Sequence, residues 1–304
     1  MILILEQLLN GLQYGITLFL LAAGLTLIFG IMGVINLAHG SLYMVGAYIG
    51  TLVAAETGSF WLGLPAALVA AAATGFVIET VVIRRLYARD HLDQVLATFA
   101  LILTFNQLIV IGFGRQPVFT RLPEAFSGSV ELLPGLPYPT YRLLIIVVGL
   151  TVAAGLYLLI NRTRIGALVR AGATNREMVS ALGVDIRLLY TVVFGLGALL
   201  AGLAGYFSGP IAAVQVGMGE QILLATFVVV VVGGVGSIKG AFVAGLFLGI
   251  VDTMLRAFLP TLLRQVMPPS EADGMGIALA SMGIYLMMAL VLLIRPRGLY
   301  AAGS

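Results

Sequence analysis

Three polar side chains stand between two long apolar runs near the start of the chain. Asn36, His39 and Ser41 interrupt a stretch that is otherwise rich in glycine and apolar residues. Their amide, imidazole and hydroxyl groups can form hydrogen bonds, and a bilayer tolerates such a break only where protein or a water-filled path surrounds it. The break therefore predicts a junction between two helices that lines an internal surface.

The imidazole of His39 is the most reactive of these groups, but its neighbours do not favour metal binding or catalysis. The chain has no cysteine, and no paired carboxylates lie near His39 in the sequence, so a metal site is not indicated. We expect His39 either to hydrogen-bond backbone groups at the helix break or to line a substrate path. We expect no catalytic residue, no metal site and no cofactor.

Further neutral polar side chains lie in the fourth apolar run. Thr98, Thr104, Asn106 and Gln107 fall within residues 95–113. Neutral amides at membrane depth are expected to face the interior of a helix bundle rather than lipid. These residues are predicted to line a path that suits a zwitterion better than a cation or a proton.

A long polar segment in the middle of the chain carries signals for a short helix. Thr174 and Glu177 have the spacing of a capping box, in which each side chain bonds the other residue's backbone amide. Gly183 can supply the left-handed conformation that ends the helix. Met178 and Leu182 would share one face, and an apolar face on an exposed helix predicts a groove in another protein as its partner. The alternative is an amphipathic helix at the membrane surface.

Only two acids, Glu79 and Asp252, are expected within the membrane. Asp252 has Arg256 four residues further on, the favourable order for an intrahelical ion pair. Glu79 lies about one turn from Arg84 and is expected to extend toward the membrane surface. Proton-coupled carriers usually keep an unpaired acid inside a span, and neither residue fits that description.

Composition indicates that these residues sit in a membrane. Hydrophobic residues make up 61% of the chain and charged residues 10%, whereas a soluble globular chain is about 25% charged. The 38 glycines indicate close helix packing through small residues. Four GxxxG pairs fit such packing, at Gly11/Gly15, Gly46/Gly50, Gly205/Gly209 and Gly245/Gly249. The chain is predicted to be an all-α integral membrane protein.

Nine apolar runs have lengths close to the roughly 20 residues of a membrane span. They cover residues 8–33, 40–57, 60–83, 95–113, 141–160, 189–211, 221–236, 240–260 and 276–294. The second and the seventh are short for a full crossing. We therefore expect about eight or nine transmembrane helices, some of them broken at Gly-rich junctions.

Basic residues predict the orientation of these spans. They concentrate after the third and fifth runs and near the C-terminal end, positions that share one side if nine spans alternate. That side is expected to be cytoplasmic, with the N-terminus outside and the C-terminus inside. Residues 114–141, which hold five of the eleven prolines, would then form an external linker, a short hairpin or a lid.

The two halves of the chain show a faint internal similarity. Laying Gly24-Leu25 on Gly202-Leu203 also matches Phe29 to Phe207. In the predicted orientation the two segments cross the membrane in opposite directions, which predicts an inverted-topology repeat with a substrate path at the repeat interface. We expect one transmembrane domain over residues 1–304, with a first half at 1–113, a loop at 114–141 and a second half at 142–304.

Two segments of this chain resemble a known family. The stretch GLTLIFGIMGVINLAHGSLYMVGAYIG, residues 24–50, resembles the N-terminal signature of the branched-chain amino acid permeases (LivH-type) of bacterial ABC importers. Residues 161–189 resemble the loop through which such permeases couple to their ATPases, and RTRIG at 162–166 has the form of the branched-chain family. The resemblance extends over nearly the whole chain. The coupling residues it implies are Arg164, Gly166, Arg170, Thr174, Glu177, Met178, Leu182 and Gly183.

The resemblance also implies partners and a location. It implies a second permease subunit, either a homologue or a copy of this chain, two cytoplasmic ABC ATPases and an extracytoplasmic substrate-binding protein in the bacterial plasma membrane. ATP energy would come from those separate subunits, because Lys239 follows Ile238 and precedes Gly240, which does not fit the Gly-Lys-Ser/Thr of a Walker A loop. No nucleic acid is expected as a partner.

The cargo stays open at this point. Relatives of this kind move leucine, isoleucine and valine, but also other amino acids, amides, urea and aromatic acids. The sequence does not separate these cargoes, or a heterodimer from a homodimer of permeases. The alternative reading is a secondary transporter or channel for a small polar solute that works alone.

The predicted orientation can be tested with reporter fusions. A reporter placed at Leu5 should be active only outside the cell, and one placed after Ser304 only in the cytoplasm, because the basic loops fall on the C-terminal side. Activity of both reporters on the same side would mean an even number of spans and would contradict the inverted repeat.

Overall fold

A computed structural model describes residues 2–87 and 89–300 of the chain. Ser304, predicted to lie in the cytoplasm, falls outside the described residues. Within them the chain forms eleven α-helices, two short 3-10 helices and one β-hairpin. The helices are α1 (Ile2–Met32), α2 (His39–Thr57), α3 (Phe60–Val81), α4 (His91–Phe113), α5 (Thr140–Arg162), α6 (Arg164–Thr174), α7 (Arg176–Ala181), α8 (Ile186–Ser208), α9 (Met218–Gly233), α10 (Ile238–Leu263) and α11 (Pro269–Ile294). The hairpin strands are β1 (Ser129–Leu133) and β2 (Leu136–Pro139).

The prediction of an all-α membrane protein is confirmed. Seven helices are long enough and apolar enough to cross a bilayer, namely α1, α3, α4, α5, α8, α10 and α11. The remaining two apolar helices, α2 and α9, are shorter, with 19 and 16 residues, and they correspond to the two runs predicted to be short. The exact number of full crossings stays a prediction.

Helix α1 lies at the centre of the bundle. Nearly every residue from Gly11 to Ile28 is buried, because the helix is apolar on all sides and so has no face suited to solvent. It packs against α5, α8, α9 and α10. Helix α1 is therefore the element on which most of the other helices pack.

Glycine allows α1 and α10 to approach closely. A Cβ atom added to Gly15 would lie 2.6 Å from the carbonyl oxygen of Gly245, and one added to Gly11 would lie 2.6 Å from Cα of Ile250. Gly249 contacts the backbone of Gly15 in the same way. Two of the predicted GxxxG pairs thus face each other across one antiparallel helix pair, as expected for packing that depends on small residues.

The helices of the two halves follow the same order and spacing. Helices α3 and α10 begin at residues 60 and 238, and α4 and α11 begin at residues 91 and 269, a separation of 178 residues in both cases. Helix α1 packs on α10, and α8 packs on α3. The C-terminal end of α1 and the N-terminal end of α8 lie on the same side, since Gly172 lies within reach of both Ile31 and Leu189. Helices α1 and α8 therefore run in opposite directions.

The segment between α4 and α5 contains the short hairpin that was one of the three expected forms. Strands β1 and β2 pair antiparallel, with Val130 opposite Tyr138. The residues before the hairpin are tied to the bundle, because Val118 pairs with Val214 and the hydroxyl of Thr120 lies 2.6 Å from that of Thr51. The segment is therefore packed on the ends of α2 and α8 rather than being a free linker.

The glycine contact between α1 and α10 can be tested with a matched pair of substitutions. Gly15→Ala should lower the melting temperature of the purified protein, because overpacking typically costs about 1–3 kcal/mol. Gly155→Ala is the control, since a Cβ atom on Gly155 of α5 meets nothing within 4 Å. Equal melting temperatures for the two variants would contradict this packing.

Candidate functional site

The predicted polar break lies where the chain turns back into the bundle between α1 and α2. Gly33, with a φ of +66°, ends α1, and residues 34–38 form no regular structure. Helix α2 then begins at His39, whose Nε2 atom would lie 3.0 Å from a Cβ atom on Gly24. Gly24 is eight residues before the end of α1, about 12 Å along the helix axis. Helix α2 therefore begins inside the bundle rather than at its surface.

A second helix begins at the same depth. Helix α8 ends at Ser208, and the chain returns through residues 209–217 to the start of α9. There the backbone of Gly219 meets that of Gly40, because a Cβ atom on Gly40 would lie 2.3 Å from the carbonyl oxygen of Gly219. The N-terminal ends of α2 and α9 thus meet in the interior. Discontinuous helices that end near the midplane are a feature of transporter substrate sites.

The three residues of the break are all buried. Asn36 and His39 have no exposed surface, and Ser41 is nearly as buried. The backbone of Leu21 lies beside the His39 ring, but neither ring nitrogen makes a hydrogen bond of standard geometry to the described residues, and both side-chain polar atoms of Asn36 also lack a partner. The predicted hydrogen bonds from His39 to the broken backbone are therefore not formed. His39 instead fills the space between α1 and the start of α2.

A residue that the sequence did not single out holds this break in place. Gln94, in the first turns of α4, accepts a hydrogen bond from the Ile35 amide at 3.2 Å through Oε1. Its amide nitrogen donates to the carbonyl oxygens of Leu86 and Arg89 at 3.2 and 3.1 Å. Gln94 therefore joins the break to the turn between α3 and α4. Its position at the edge of an apolar run gave no signal for this role.

The polar residues of α4 do not share one environment. Thr98 is fully buried and donates to the carbonyl oxygen of Gln94 at 2.7 Å, and Asn106 is half-buried. Gln107 and Thr104 are exposed on the outer side of the helix, so the prediction that all of them face the interior is wrong for these two. Successive residues lie about 100° apart around a helix, so Asn106 and Gln107 cannot both face inward.

Asn106 has an acidic partner, which lies just before the apolar run predicted at residues 221–236. Its Nδ2 atom donates to Oε1 of Glu220, in the first turn of α9. Because α9 begins inside the bundle, Glu220 is a third acid at membrane depth, and the expectation of only Glu79 and Asp252 there is wrong. The other carboxylate oxygen of Glu220 and Oδ1 of Asn106 are both buried, and neither has a hydrogen-bond partner among the described residues.

Glu79 and Asp252 each have an arginine. Asp252 accepts from Arg256 at 2.8 Å, which confirms the predicted intrahelical pair. Arg84 donates to both oxygens of Glu79, at 3.2 and 2.9 Å. The side chain of Glu79 is fully buried, so the expectation that it extends toward the membrane surface is wrong.

Further donors explain why Glu79 can be buried. Thr191 of α8 donates to the carboxylate at 2.9 Å, and the hydroxyl of Tyr87 also donates to it. Burial, and then the hydrogen bond to Glu79, raises the pKa of Tyr87, so Tyr87 remains a neutral donor. The carboxylate is thereby satisfied by three side chains and links the end of α3 to α8.

The segment predicted to hold one short helix forms two. Helix α6 is capped by Thr163, whose Oγ1 accepts from the Gly166 amide at 3.1 Å. A Cβ atom on Gly166 would lie 2.2 Å from the carbonyl oxygen of Ile160, so α6 follows α5 in a tight turn. Arg170 is exposed, and its guanidinium donates to the same carbonyl oxygen of Ile160. Arg164 is exposed at the start of α6.

The caps of α7 differ from the prediction by one residue. The N-cap is Asn175, whose Oδ1 accepts from the Met178 amide at 3.0 Å. Thr174 instead donates to the carbonyl oxygen of Arg170 at 3.0 Å and belongs to the last turn of α6, so the predicted capping box with Glu177 is wrong. An Asn at this position competes well because it is as good an N-cap as Ser or Asp.

The C-terminal end of α7 is as predicted. Gly183 has a φ of +86°. Its amide donates to the Ser180 carbonyl oxygen at 3.0 Å, and the Val184 amide donates to that of Val179 at 3.4 Å. These two bonds form a Schellman motif. Met178 and Leu182 are 58% and 76% exposed, so α7 presents apolar side chains on the surface, whereas Val179 packs inward.

Two cavities lie next to these elements. One of about 370 Å³ lies between the end of α1 and the α6–α7 junction, and it is lined by Gly33, Gly172, Thr174, Asn175 and Glu177 among others. The second, of about 350 Å³, lies between α1, α2 and the segment that leads into α9. Its polar lining is uncharged and comprises Gln13, Tyr14, Thr17, Tyr43, Ser208, Gln215 and Gln221.

Comparison with known proteins gives one consistent result. Residues 7–294 match the family model described as the permease component of the branched-chain amino acid transport system. The chain is 29% identical to the high-affinity branched-chain amino acid transport system permease protein BraD of Pseudomonas aeruginosa, with 97% of this chain and 95% of BraD covered. It is also 29% identical to the LivH permease protein of Escherichia coli K12, with 97% and 94% covered.

More distant similarity extends to a sugar transporter. The ribose import permease protein RbsC of Escherichia coli K12 is 27% identical over 82% of this chain and 78% of RbsC. No solved structure gives a significant match.

The buried position of His39 generates a prediction about its role. His39→Ala should lower both the melting temperature and the yield of assembled protein, because removing a fully buried side chain leaves a cavity, at a cost of about 2–5 kcal/mol for large-to-small changes. Any loss of transport should then be proportional to the loss of assembled protein.

A matched control is His91→Ala, because His91 is exposed at the start of α4. A His39→Ala protein that is as stable as wild type but specifically impaired in transport would instead assign His39 to the substrate path.

Proposed function

The chain belongs to the family of branched-chain amino acid transport permease components. We propose that it is one of the two membrane-spanning subunits of an ABC importer that carries amino acids across the bacterial plasma membrane. It is a permease subunit, which provides the path and does not itself hydrolyse ATP. The match over residues 7–294 supports this. The geometry that supports it best is the exposed, self-capped helix α7.

Helix α7 has the properties of a docking element for an ATPase. It is only six residues long, but the Asn175 cap and the Schellman motif at Gly183 satisfy its backbone locally, so it forms without support from a large core. Met178 and Leu182 are exposed. A short helix with an apolar face fits a groove in a partner protein, and the partner proposed here is one of two cytoplasmic ABC ATPases.

The residues around α7 would complete the coupling surface. Arg164 and Arg170 are exposed on α6, and Thr174, Asn175 and Glu177 line the cavity beneath the α6–α7 junction. We assign the contact with the ATPase to α7 and to the exposed side of α6. In that assignment the coupling segment lies in the cytoplasm, the C-terminus inside and the N-terminus outside.

The translocation path is proposed to lie along α4, between this permease and a second one. Helix α4 makes its main packing contact with the bundle along α2, and its outer side carries Thr104 and Gln107 exposed at membrane depth. Polar side chains are costly against lipid and are usually covered by another helix or by a water-filled path. A second permease, either a homologue or a copy of this chain, would provide that cover.

The arrangement of helices supports an inverted-topology repeat of α1–α4 and α8–α11. The matched spacing, the reciprocal packing of α1 on α10 and of α8 on α3, and the opposite directions of α1 and α8 are what such a repeat requires. The broken starts of α2 and α9, with Asn36, His39 and Ser41, then lie at the repeat interface. We propose that these helix starts lie beside the translocation path and hold the helices that line it in position.

Cargo would be delivered by an extracytoplasmic binding protein. The named relatives are permeases for branched-chain amino acids, and we propose branched-chain or related amino acids as the cargo of this chain. A stand-alone transporter or channel is the alternative. Co-purification decides between them, because only an importer permease should retain a stoichiometric ATPase.

The coupling assignment can be tested at Gly183. Gly183→Val should leave membrane insertion intact but uncouple amino acid uptake from ATP hydrolysis, because a β-branched residue is strained at a positive φ and would unwind the end of α7. Gly183→Asn is the control, since Asn tolerates the left-handed region. Uptake and ATPase activity should be measured together in proteoliposomes, and wild-type coupling in the Val variant would contradict the assignment.

A further inference from the structure

Glu220 stands apart from the other acids at membrane depth. Glu79 and Asp252 are each neutralised by an arginine within hydrogen-bond distance. Among the described side chains, Glu220 has no ion-pair partner, and its one donor is the neutral amide of Asn106. An ionisable side chain inside the membrane is rare and marks a functional site unless it is paired. Among the described acids at this depth, Glu220 is therefore the one left available to a positively charged group from outside this chain.

The contacts of neighbouring helices place Glu220 and Asn106 near the middle of the membrane. Glu220 follows Gly219, which meets the start of α2 at Gly40. Asn106 lies seven residues before Phe113, about 10 Å along α4, and the Phe113 ring contacts that of Tyr48. Tyr48 in turn lies nine residues after His39, about 14 Å along α2. Asn106 is thus within about one helical turn of the depth at which α2 and α9 begin.

Two unsatisfied acceptors define what the site can bind. Oε2 of Glu220 and Oδ1 of Asn106 are both buried and without a donor, which is costly for oxygen atoms removed from water. Both belong to the one hydrogen-bonded pair, so a single group that carries several N–H donors and a positive charge would satisfy them. Two oxygens are too few for Ca²⁺, which takes six to eight oxygen ligands. A primary ammonium group, with three donors, fits this demand.

We propose that Glu220 and Asn106 form a binding site for the ammonium group of the transported amino acid. This rests on the proposed function, because Asn106 belongs to α4, the helix along which the path was placed. Helix α4 makes no extended contact with α9, and the hydrogen bond between Asn106 and Glu220 joins the two helices. The site would also discriminate among cargoes. A carboxylate attracts a zwitterion through its ammonium group and repels an anionic acid. It forms no ion pair with urea, an amide or a sugar.

Glu220→Gln is the first test, because glutamine has the same size and can still accept the hydrogen bond from Asn106. With the permease, its ATPases and its binding protein in proteoliposomes, uptake of labelled L-leucine should fall at least about tenfold, as expected for loss of a hydrogen bond to a charged group. The melting temperature without ligand should stay unchanged. Glu271→Gln is the matched control, since Glu271 is an exposed acid in the first turn of α11 and should transport normally.

A thermal-shift assay tests the site without ATP or binding protein. Millimolar L-leucine and 3-methylbutylamine, which carry an ammonium group, should stabilise the purified permease complex, whereas 4-methylpentanoate, which lacks it, should not. The shift should disappear in Glu220→Gln and in Asn106→Leu. An unchanged shift in both variants would overturn the proposal, as would a drop in melting temperature of Glu220→Gln without ligand, which would assign the pair to packing.

Two further outcomes distinguish failure of the ammonium site from failure of the proposed importer function. Proton co-transport with leucine, followed with a pH-sensitive dye trapped in the vesicles and lost in Glu220→Gln, would show that Glu220 carries a proton rather than the ammonium group and would overturn the assignment. If wild-type protein shows no ATP-dependent uptake at all, the importer function fails. The thermal shift would still decide whether Glu220 binds an ammonium group.

Discussion

The structure depends on the need to satisfy backbone polar groups where α2 and α9 begin inside the membrane. The first four N–H groups of a helix have no partner within it, and each unsatisfied group costs several kcal/mol in hydrocarbon. Contact between the backbones of Gly40 and Gly219 is possible only because neither carries a side chain. This contact brings the two helix starts together in the interior, where α1 passes beside His39 at Gly24.

The same constraint explains which parts of the fold could be predicted from the sequence. Most helix bounds followed from apolar length, and the shortness of α2 and α9 was visible for the same reason. The exceptions are the starts of α1 and α11, at residues 2 and 269, which lie well before the predicted runs at 8–33 and 276–294. The depth at which each helix begins could not be predicted, because hydropathy gives the length of an apolar run and not the position in the membrane where it starts. Glu220 therefore fell just outside the predicted run at 221–236, although residues 209–217 return to the interior before α9 starts. The register around α4 was also invisible, since neutral amides at 106 and 107 give no sign of which one faces inward.

The rules for helix ends gave the correct result where the backbone conformation of one residue fixes the end of the helix. They failed where two adjacent residues could each serve as the N-cap. Gly183 ends α7 as expected because only the left-handed conformation permits both hydrogen bonds of a Schellman motif. At the other end, Thr174 and Asn175 are adjacent candidates for the same N-cap. Continuation of α6 through Thr174 decided between them, and that continuation depends on packing against α1 and α5. Gln94 was missed because its role consists of bonds to the backbones of two distant segments.

The elements of the proposed coupling surface and of the helix break are physically continuous. Helix α6 precedes α7 and packs on the end of α1, where Gly172 lies within reach of Ile31. The break follows directly after α1 and is bonded through Gln94 to the turn after α3. That turn is in turn tied to α8 through Glu79, Arg84 and Thr191. The proposed coupling surface is therefore connected to the helix break by the packing of α6 on α1 and α8 and by the hydrogen bonds of Gln94 and Glu79.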